Sequence, residues 1–344
     1  MDPLTHMSLG ACMAMAVSVK PKMRIAGLAG ALAGLLPDAD VFIRSAGDPL
    51  LAIEYHRHFT HSFAFQPLTA ALALGLALGL RRVVRGGGKF RPSYWAILLA
   101  ASTHPFCDWW TSYGTRVAWP FSQARLSLDW VSVIDPLVTL PLVLLGVLGV
   151  WKRARFLPTA ALVLVSLYLG GATVQKERAL NAIQAQLDQQ GVVPERLAVR
   201  PSFGNIVVWR AVWESEGRIH SGMIRVGQEV EWRPGNSAEV IRYEGVAAWE
   251  ESAPPGTVLR KDLERFKHFS DGWLIRHPAH PDVIGDARYA MLPNSMEPLW
   301  GIRVPADRSD EHVKFENFRV NPKESFGKLW GWVQAPLASD SMLP

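Results

Sequence analysis

The run SFAFQPLTAALALGLALGL, from Ser62 to Leu80, contains no charged side chain. It is about as long as the roughly 20 apolar residues a helix needs to cross a hydrocarbon core of about 30 Å. A transmembrane helix is therefore expected here. Outward from it, Ser132 to Val150 carries a single acid, Asp135, and Leu157 to Val174 carries no charge, so both are long enough to span. Three shorter apolar runs complete the pattern: Met7 to Val19, Ile25 to Leu36, and Tyr94 to Ala101 with its extension to Cys107. Small residues Gly27, Ala29, Gly30, Ala31, Ala33 and Gly34 recur through the second of these, a composition suited to close helix packing within a membrane.

Composition agrees with a membrane protein. Of the 344 residues, 49% are hydrophobic and only 19% charged, below the roughly 25% charge of soluble domains. The net charge of +5 could point to nucleic acid, but in the first half the cations fall in short clusters between apolar runs. That pattern fits topology, and no nucleic-acid partner is expected. The two cysteines, Cys12 and Cys107, lie in or beside apolar runs, which excludes a disulfide framework and a cysteine-built zinc site. Asp2 and His6 stand where a secretory leader carries Lys or Arg, so the first residues are expected to stay in the mature protein.

The cationic clusters set an orientation, because cytoplasmic loops carry excess Lys and Arg. They are Lys20, Lys22 and Arg24; Arg81, Arg82, Arg85, Lys89 and Arg91; and Lys152, Arg153 and Arg155. With six spans all three fall on one side. The other side then holds the N-terminus, the loops Pro37 to His61 and Asp108 to Trp130, and everything after Val174. Past that point the composition changes. An amphipathic stretch leads into shorter apolar runs rich in Trp, Arg and Glu, with strands expected over Phe203 to Trp213, Met223 to Trp232, Trp273 to Arg276 and Trp300 to Val304. Turns are expected at Glu216-Gly217 and Pro234-Gly235-Asn236, and a helix over Thr257 to Phe269. The fold class expected is a mainly α membrane helical bundle of about six helices, followed by a smaller α+β or mainly β soluble domain. Its parts are a membrane-embedded metal-binding domain (1–174), an amphipathic helical linker (175–198) and a strand-rich domain (199–344).

Four motifs gather the ionisable side chains of the membrane half, each at the end of an apolar run. Asp2 and His6 are four residues apart, as are His104 and Asp108, so in a helix each pair shares a face. Between them stand Asp38 and Asp40 in Leu36-Pro37-Asp38-Ala39-Asp40, and His56 and His61 in His56-Arg57-His58-Phe59-Thr60-His61-Ser62. Imidazole and carboxylate are the ligands of zinc, manganese or iron, and mixed His/Asp sets suit hydrolytic sites that leave one position for water. The eight residues are the expected metal ligands for one or more divalent ions, zinc first. Each motif has a plainer reading: a solvated terminus for Asp2 and His6, a helix end and cap for Asp38 and Asp40. Ionisable groups inside a membrane segment such as His104 and Asp108 are costly and mark function. His58 reads as a neighbour of the site. Asp135 reads as a ligand, a partner of a histidine or a helix start, the second being preferred. Arg116 is expected to hold an anionic group bidentately, or else to snorkel at the interface. Asp40 is the candidate general base. Histidines of the tail, His268, His277, His280 and His312, are assigned no metal, and no Gly-x-Ser-x-Gly, phosphate-binding or dinucleotide-binding loop occurs.

The ordered motifs Asp2-x-x-x-His6, Leu36-Pro37-Asp38-x-Asp40, His56-Arg57-x-x-Thr60-His61-Ser62 and His104-x-x-x-Asp108 resemble the YdjM/YbcI-type family of inner-membrane metal-dependent hydrolases. So does Thr111-Ser112-Tyr113-Gly114-Thr115-Arg116-x-x-Trp119-Pro120-Phe121-Ser122, which follows them. The likeness covers about residues 1 to 150. Arg200-Pro201-x-Phe203 to Trp209 and Asp286-x-Arg288-Tyr289 resemble the tail of longer members, whereas His58 stands where the family has a small residue. The resemblance implies a helical, membrane-bound hydrolase distantly similar to zinc-dependent phospholipase C. It would act on a phosphoester or other lipid-linked substrate through a metal-activated water, with membrane lipid as the implied partner. Two other classes use the same ligands: a metal transporter or sensor, and a non-catalytic membrane scaffold with a structural metal. The orientation has its own test. A cysteine placed at Gly87 should be shielded from an impermeant thiol label in intact cells while one at Ser237 reacts; the reverse pattern would overturn the assignment of sides.

Overall fold

The computed structural model describes residues 1–85, 91–241, 253–305, 310–318 and 322–335. Lys89 of the second cationic cluster and the reporter position Gly87 lie outside them. Two compact units divide the chain. The first comprises Met1–Ile43, Tyr55–Val174 and Phe203–Asn205; the second comprises Arg44–Glu54, Gln175–Ser202 and Ile206–Pro344.

The helices, in chain order, are α1 (Pro3–Ala16), α2 (Met23–Leu35), the short α3 (Leu51–Tyr55), α4 (Gln66–Arg85), α5 (Tyr94–Trp109), α6 (Pro136–Lys152) and α7 (Phe156–Gln189). Among the described residues three stretches are long and apolar enough to cross a membrane: Lys20–Phe42, Phe63–Val84 and Phe156–Gln189. Pro136–Lys152 is a shorter apolar helix. The span expected from Ser132 thus begins late. Asp135 caps α6, its carboxylate accepting from the Leu137 N–H at 3.0 Å, and the remaining 17 residues rise only about 25 Å. Conversely, the run expected from Ile25 gains length because a 3-10 segment, Leu36–Phe42, continues α2 beyond Leu35.

In α4 the large residues face outward and the small ones inward. Leu68, Leu72, Leu76 and Leu80 are exposed, while Ala70, Ala73 and Ala77 are fully buried. Such a helix sheds its bulk to lipid and packs through small side chains. The same logic brings α1 onto α2. A methyl added at Gly10 would collide with the Gly30 carbonyl, and one at Gly34 with the His6 carbonyl, so the two backbones cross in contact. The alternation of directions then sorts the chemistry. His6 at the start of α1, Asp38 beyond α2, His61 before α4 and the last turns of α5 gather at one end. Lys20, Arg24, Arg81 and Arg153 line one groove at the other.

In the second unit the expected linker is the rest of α7, which runs unbroken to Gln189. Ala179, Ile183 and Leu187 of that half bury themselves against Val199, Trp209, Ala211 and Ile224 of an antiparallel sheet. This sheet holds β1 (Arg196–Pro201), β2 (Val208–Ser215), β3 (Arg218–Val226) and β4 (Val230–Glu239), in that order. The strand expected over Met223 to Trp232 is in fact a hairpin, with Met223 paired to Arg233 and Val226 to Val230. Pro234-Gly235-Asn236 lies within β4, opposite the irregularity at His220 and Gly222, instead of forming a turn. A second sheet follows α8 (Val258–Phe269), in the order β5 (Leu274–His277), β6 (His280–Asp286), β7 (Trp300–Arg303) and β8 (Lys314–Asn317). The helix α9 (Pro322–Gln334) packs Leu329 on Val208 and Met223.

The Asp286-x-Arg288-Tyr289 motif is a buried clamp. Arg288 donates to Asp286 through Nε at 2.9 Å and Nη2 at 2.8 Å, and to the Phe269 carbonyl at 2.7 Å. Burial opposes its charge, but Asp286 holds the guanidinium pKa above its ordinary value. The Tyr289 ring also lies under Arg200, 4.8 Å away. Arg265 of α8 forks onto Asp48 and Glu54, its Nη atoms donating at 2.7 to 3.1 Å. It thereby ties the segment 44–54 to the second unit.

Candidate metal centre

Local structure explains why these residues meet. Asp2 caps α1, its carboxylate accepting from the Thr5 N–H at 3.0 Å, and Pro3 follows at the first helical position. His6 then falls one turn in, on the face that crosses α2. Pro37 opens the 3-10 segment. In a helix of three residues per turn, positions two apart point about 120° from each other. Asp38 and Asp40 therefore serve different neighbours. His104 and Asp108 lie one turn apart on α5, and His61 closes the 3-10 turn Phe59–His61.

His104 is fully buried. Its Nδ1 lies 2.7 Å from the Gly34 carbonyl oxygen, an acceptor only, so the ring proton sits on Nδ1 and Nε2 carries the lone pair. That Nε2 has no hydrogen-bond partner. It faces Asp108 Oδ2 at 3.5 Å and Asp38 Oδ1 at 3.8 Å. His61 aims Nε2 at the same two carboxylates, 3.4 Å from each, while its Nδ1 lies 2.9 Å from Thr60 Oγ1 and 3.4 Å from Asp40 Oδ2. His6 stacks on His104 with ring centroids 3.8 Å apart and reaches Asp108 Oδ1 through Nε2 at 3.1 Å. Two overlapping groups offer ligand atoms within 4.8 Å of one another: His6, Asp38 and His104, and His61, His104 and Asp108.

Asp38 Oδ2, Asp108 Oδ2 and His104 Nε2 are all buried without a hydrogen-bond partner. Orphaned acceptors of this kind are unfavourable unless a cation lies among them. Imidazole and carboxylate are also the donors that zinc, manganese and iron accept, so the residues fit a divalent ion. Asp108 divides its two oxygens. Oδ1 faces the Met1 amino group, His6 and Arg57, whose Nη2 lies 3.2 Å away, and Oδ2 is left toward the imidazoles.

The family model for the YdjM inner membrane protein matches residues 1–179. The chain belongs to the YdjM inner membrane protein family. No curated protein matches it, and no solved structure does. The YdjM match takes in every residue of the two ligand groups and ends within α7.

The structure brings together five of the eight expected ligands: His6, Asp38, His61, His104 and Asp108. Asp2 stays at the helix cap. Asp40 lies behind the cluster, with Oδ1 3.1 Å from His56 Nδ1 and Oδ2 accepting from the Arg57 N–H at 2.9 Å. His56 sits beside it, part-exposed, with its ring centroid 5.9 Å from that of His61. Arg116 is half-buried, and its backbone N–H donates to the Arg57 carbonyl at 3.2 Å. His58 accepts from the Phe59 N–H through Nδ1, and Asp135 accepts from the Tyr168 hydroxyl at 2.8 Å. Neither belongs to a ligand group.

Two residues not among the expected ligands are central. Arg57, with φ at 60° where a Cβ is disfavoured, is pinned there by Asp40 and by the Arg116 N–H. Its Nη1 donates to Thr111 Oγ1 at 2.8 Å, and the guanidinium lies over the Tyr113 ring. The sequence signals Arg57 only as a position of the His56-Arg57-x-x-Thr60-His61-Ser62 motif. Gly34 admits the His6 backbone and presents the carbonyl that fixes His104. Gly34→Ala should destabilise the purified full chain by about 1–3 kcal/mol, as overpacking of a close contact does. Gly75→Ala, where an added methyl meets nothing, should be neutral or mildly stabilising. Thermal melts of both in one detergent check this; indistinguishable effects would contradict the close crossing of α1 and α2.

Proposed function

We propose that this YdjM-family protein is a membrane-bound metal-dependent hydrolase, with a divalent ion, zinc first, held among His6, Asp38, His61, His104 and Asp108. The observation that carries this reading is the His104 lone pair. It is fixed by Gly34, buried, faces two carboxylates, and has no hydrogen-bond partner among the described residues. Bound there, the ion would supply Lewis acidity toward a phosphoryl oxygen and lower the pKa of a water.

The chain's own groups then divide the remaining work. Asp108 and Asp38 hold negative charge against the imidazoles. Arg57 neutralises one side of Asp108 and, through Thr111, fixes the end of α5. Asp40 orients His61 and His56 by their Nδ1 atoms, an arrangement that sets a ring's tautomer. His56, the most exposed ring of the group, is in position to take up or deliver a proton through Nε2. Arg116 holds the anionic group of the substrate, a phosphoester that is lipid-linked. The catalytic end of the bundle faces the non-cytoplasmic side.

Hydrolysis of bis(4-nitrophenyl) phosphate and of a phosphatidate in mixed micelles by the full chain tests the reading. Chelation should abolish turnover and zinc should restore it. Asp108→Ala should remove activity together with bound metal, whereas His56→Gln should lower turnover at least tenfold with metal content unchanged. Absence of hydrolysis in metal-replete protein, or full activity in both variants, would sink the proposal.

A further inference from the structure

At the opposite end of the bundle lies a groove of about 470 Å³. Four cations from three separate parts of the sequence line it: Lys20 just before α2 and Arg24 at its start, Arg81 near the end of α4, and Arg153 just past α6. Its walls are apolar, with Leu28, Leu80 and Val150 among them, and its described lining contains no acid. A second groove shares Lys20 and adds Arg155 beside Phe156, Val163 and Leu164.

The orientation rule asks only for cations in the loops of one side. It does not ask that they converge on an apolar-walled groove. An anion complements the charge of this lining. The walls say which kind: Leu80 is half exposed and Val84, also in the lining, is 68% exposed on the outer surface of α4. The apolar wall therefore continues from the cations onto the lipid-facing side of the helix. A free phosphate would use the charges and leave the walls uncovered; a phospholipid uses both.

We propose that this groove binds an acidic phospholipid, its phosphate among Lys20, Arg24, Arg81 and Arg153 and an acyl chain along Leu28, Leu80 and Val84. Basic pockets between membrane helices recognise headgroups in this way. The site is separate from the metal centre and stands whether or not that centre is hydrolytic.

Native mass spectrometry of the full chain released from detergent micelles tests it, with phosphatidylglycerol, phosphatidylcholine and glycerol 3-phosphate as probes. Wild type should retain phosphatidylglycerol at least tenfold better than the other two. Lys20→Gln/Arg24→Gln/Arg153→Gln should lose that retention by about tenfold or more. If the triple variant does not fold, Leu80→Trp, which fills the groove and keeps every cation, should lose it instead. Equal retention of phosphatidylcholine, binding of glycerol 3-phosphate as tight as that of the lipid, or undiminished phosphatidylglycerol on whichever variant folds would each overturn the proposal.

Discussion

Gly34 has no side chain, and the arrangement of the His/Asp cluster follows from that. The contact of α1 with α2 needs the space a methyl would occupy, and it carries His6 to the centre. The same residue's carbonyl accepts the His104 Nδ1 proton, which turns the other nitrogen of that ring into a buried acceptor. One backbone position thus sets both the distance between two helices and the tautomer of the His104 ring. A hydrophobic side chain there would alter both at once.

Around that point the electrostatics are organised in layers. Innermost are orphaned acceptors, the atoms a cation would seek. Next come groups that hold them: Arg57 on Asp108, Asp40 on His61 and His56, Thr60 on His61. Behind these, Tyr113 lies 4.9 Å below the Arg57 guanidinium and 5.1 Å below that of Arg125, and Thr111 links Arg57 to the end of α5. Removing an outer member would loosen an inner one without touching it, because the rings are oriented through their second nitrogen.

The sequence shows its membrane half clearly because apolar runs, cationic clusters and His/Asp motifs each carry a local pattern. Ser62 to Leu80 announces α4 by composition alone, and His104 with Asp108 announces a shared helical face by spacing. What lay hidden depends on contacts between distant segments. Nothing local separates Asp38 from Asp40; their division of labour comes from the 3-10 geometry after Pro37. The motif marks Arg57 but not its role, which rests on Asp108, Thr111 and Tyr113. In the tail, Met223 to Trp232 has strand composition throughout, so the hairpin inside it could not be found from β-propensity. Asp286 and Arg288 were visible as a motif, but their role as a buried clamp required the fold.

The claim on which the rest turns is that the His/Asp cluster is a metal site built on the His104 Nε2 lone pair. X-ray absorption at the zinc edge of zinc-loaded full chain tests it most directly. The account predicts a mixed shell of imidazole nitrogens and carboxylate oxygens at about 2.0–2.2 Å with no sulfur, and loss of imidazole scattering in His104→Ala. A chain that takes up no metal, or a spectrum unchanged by that substitution, would contradict it.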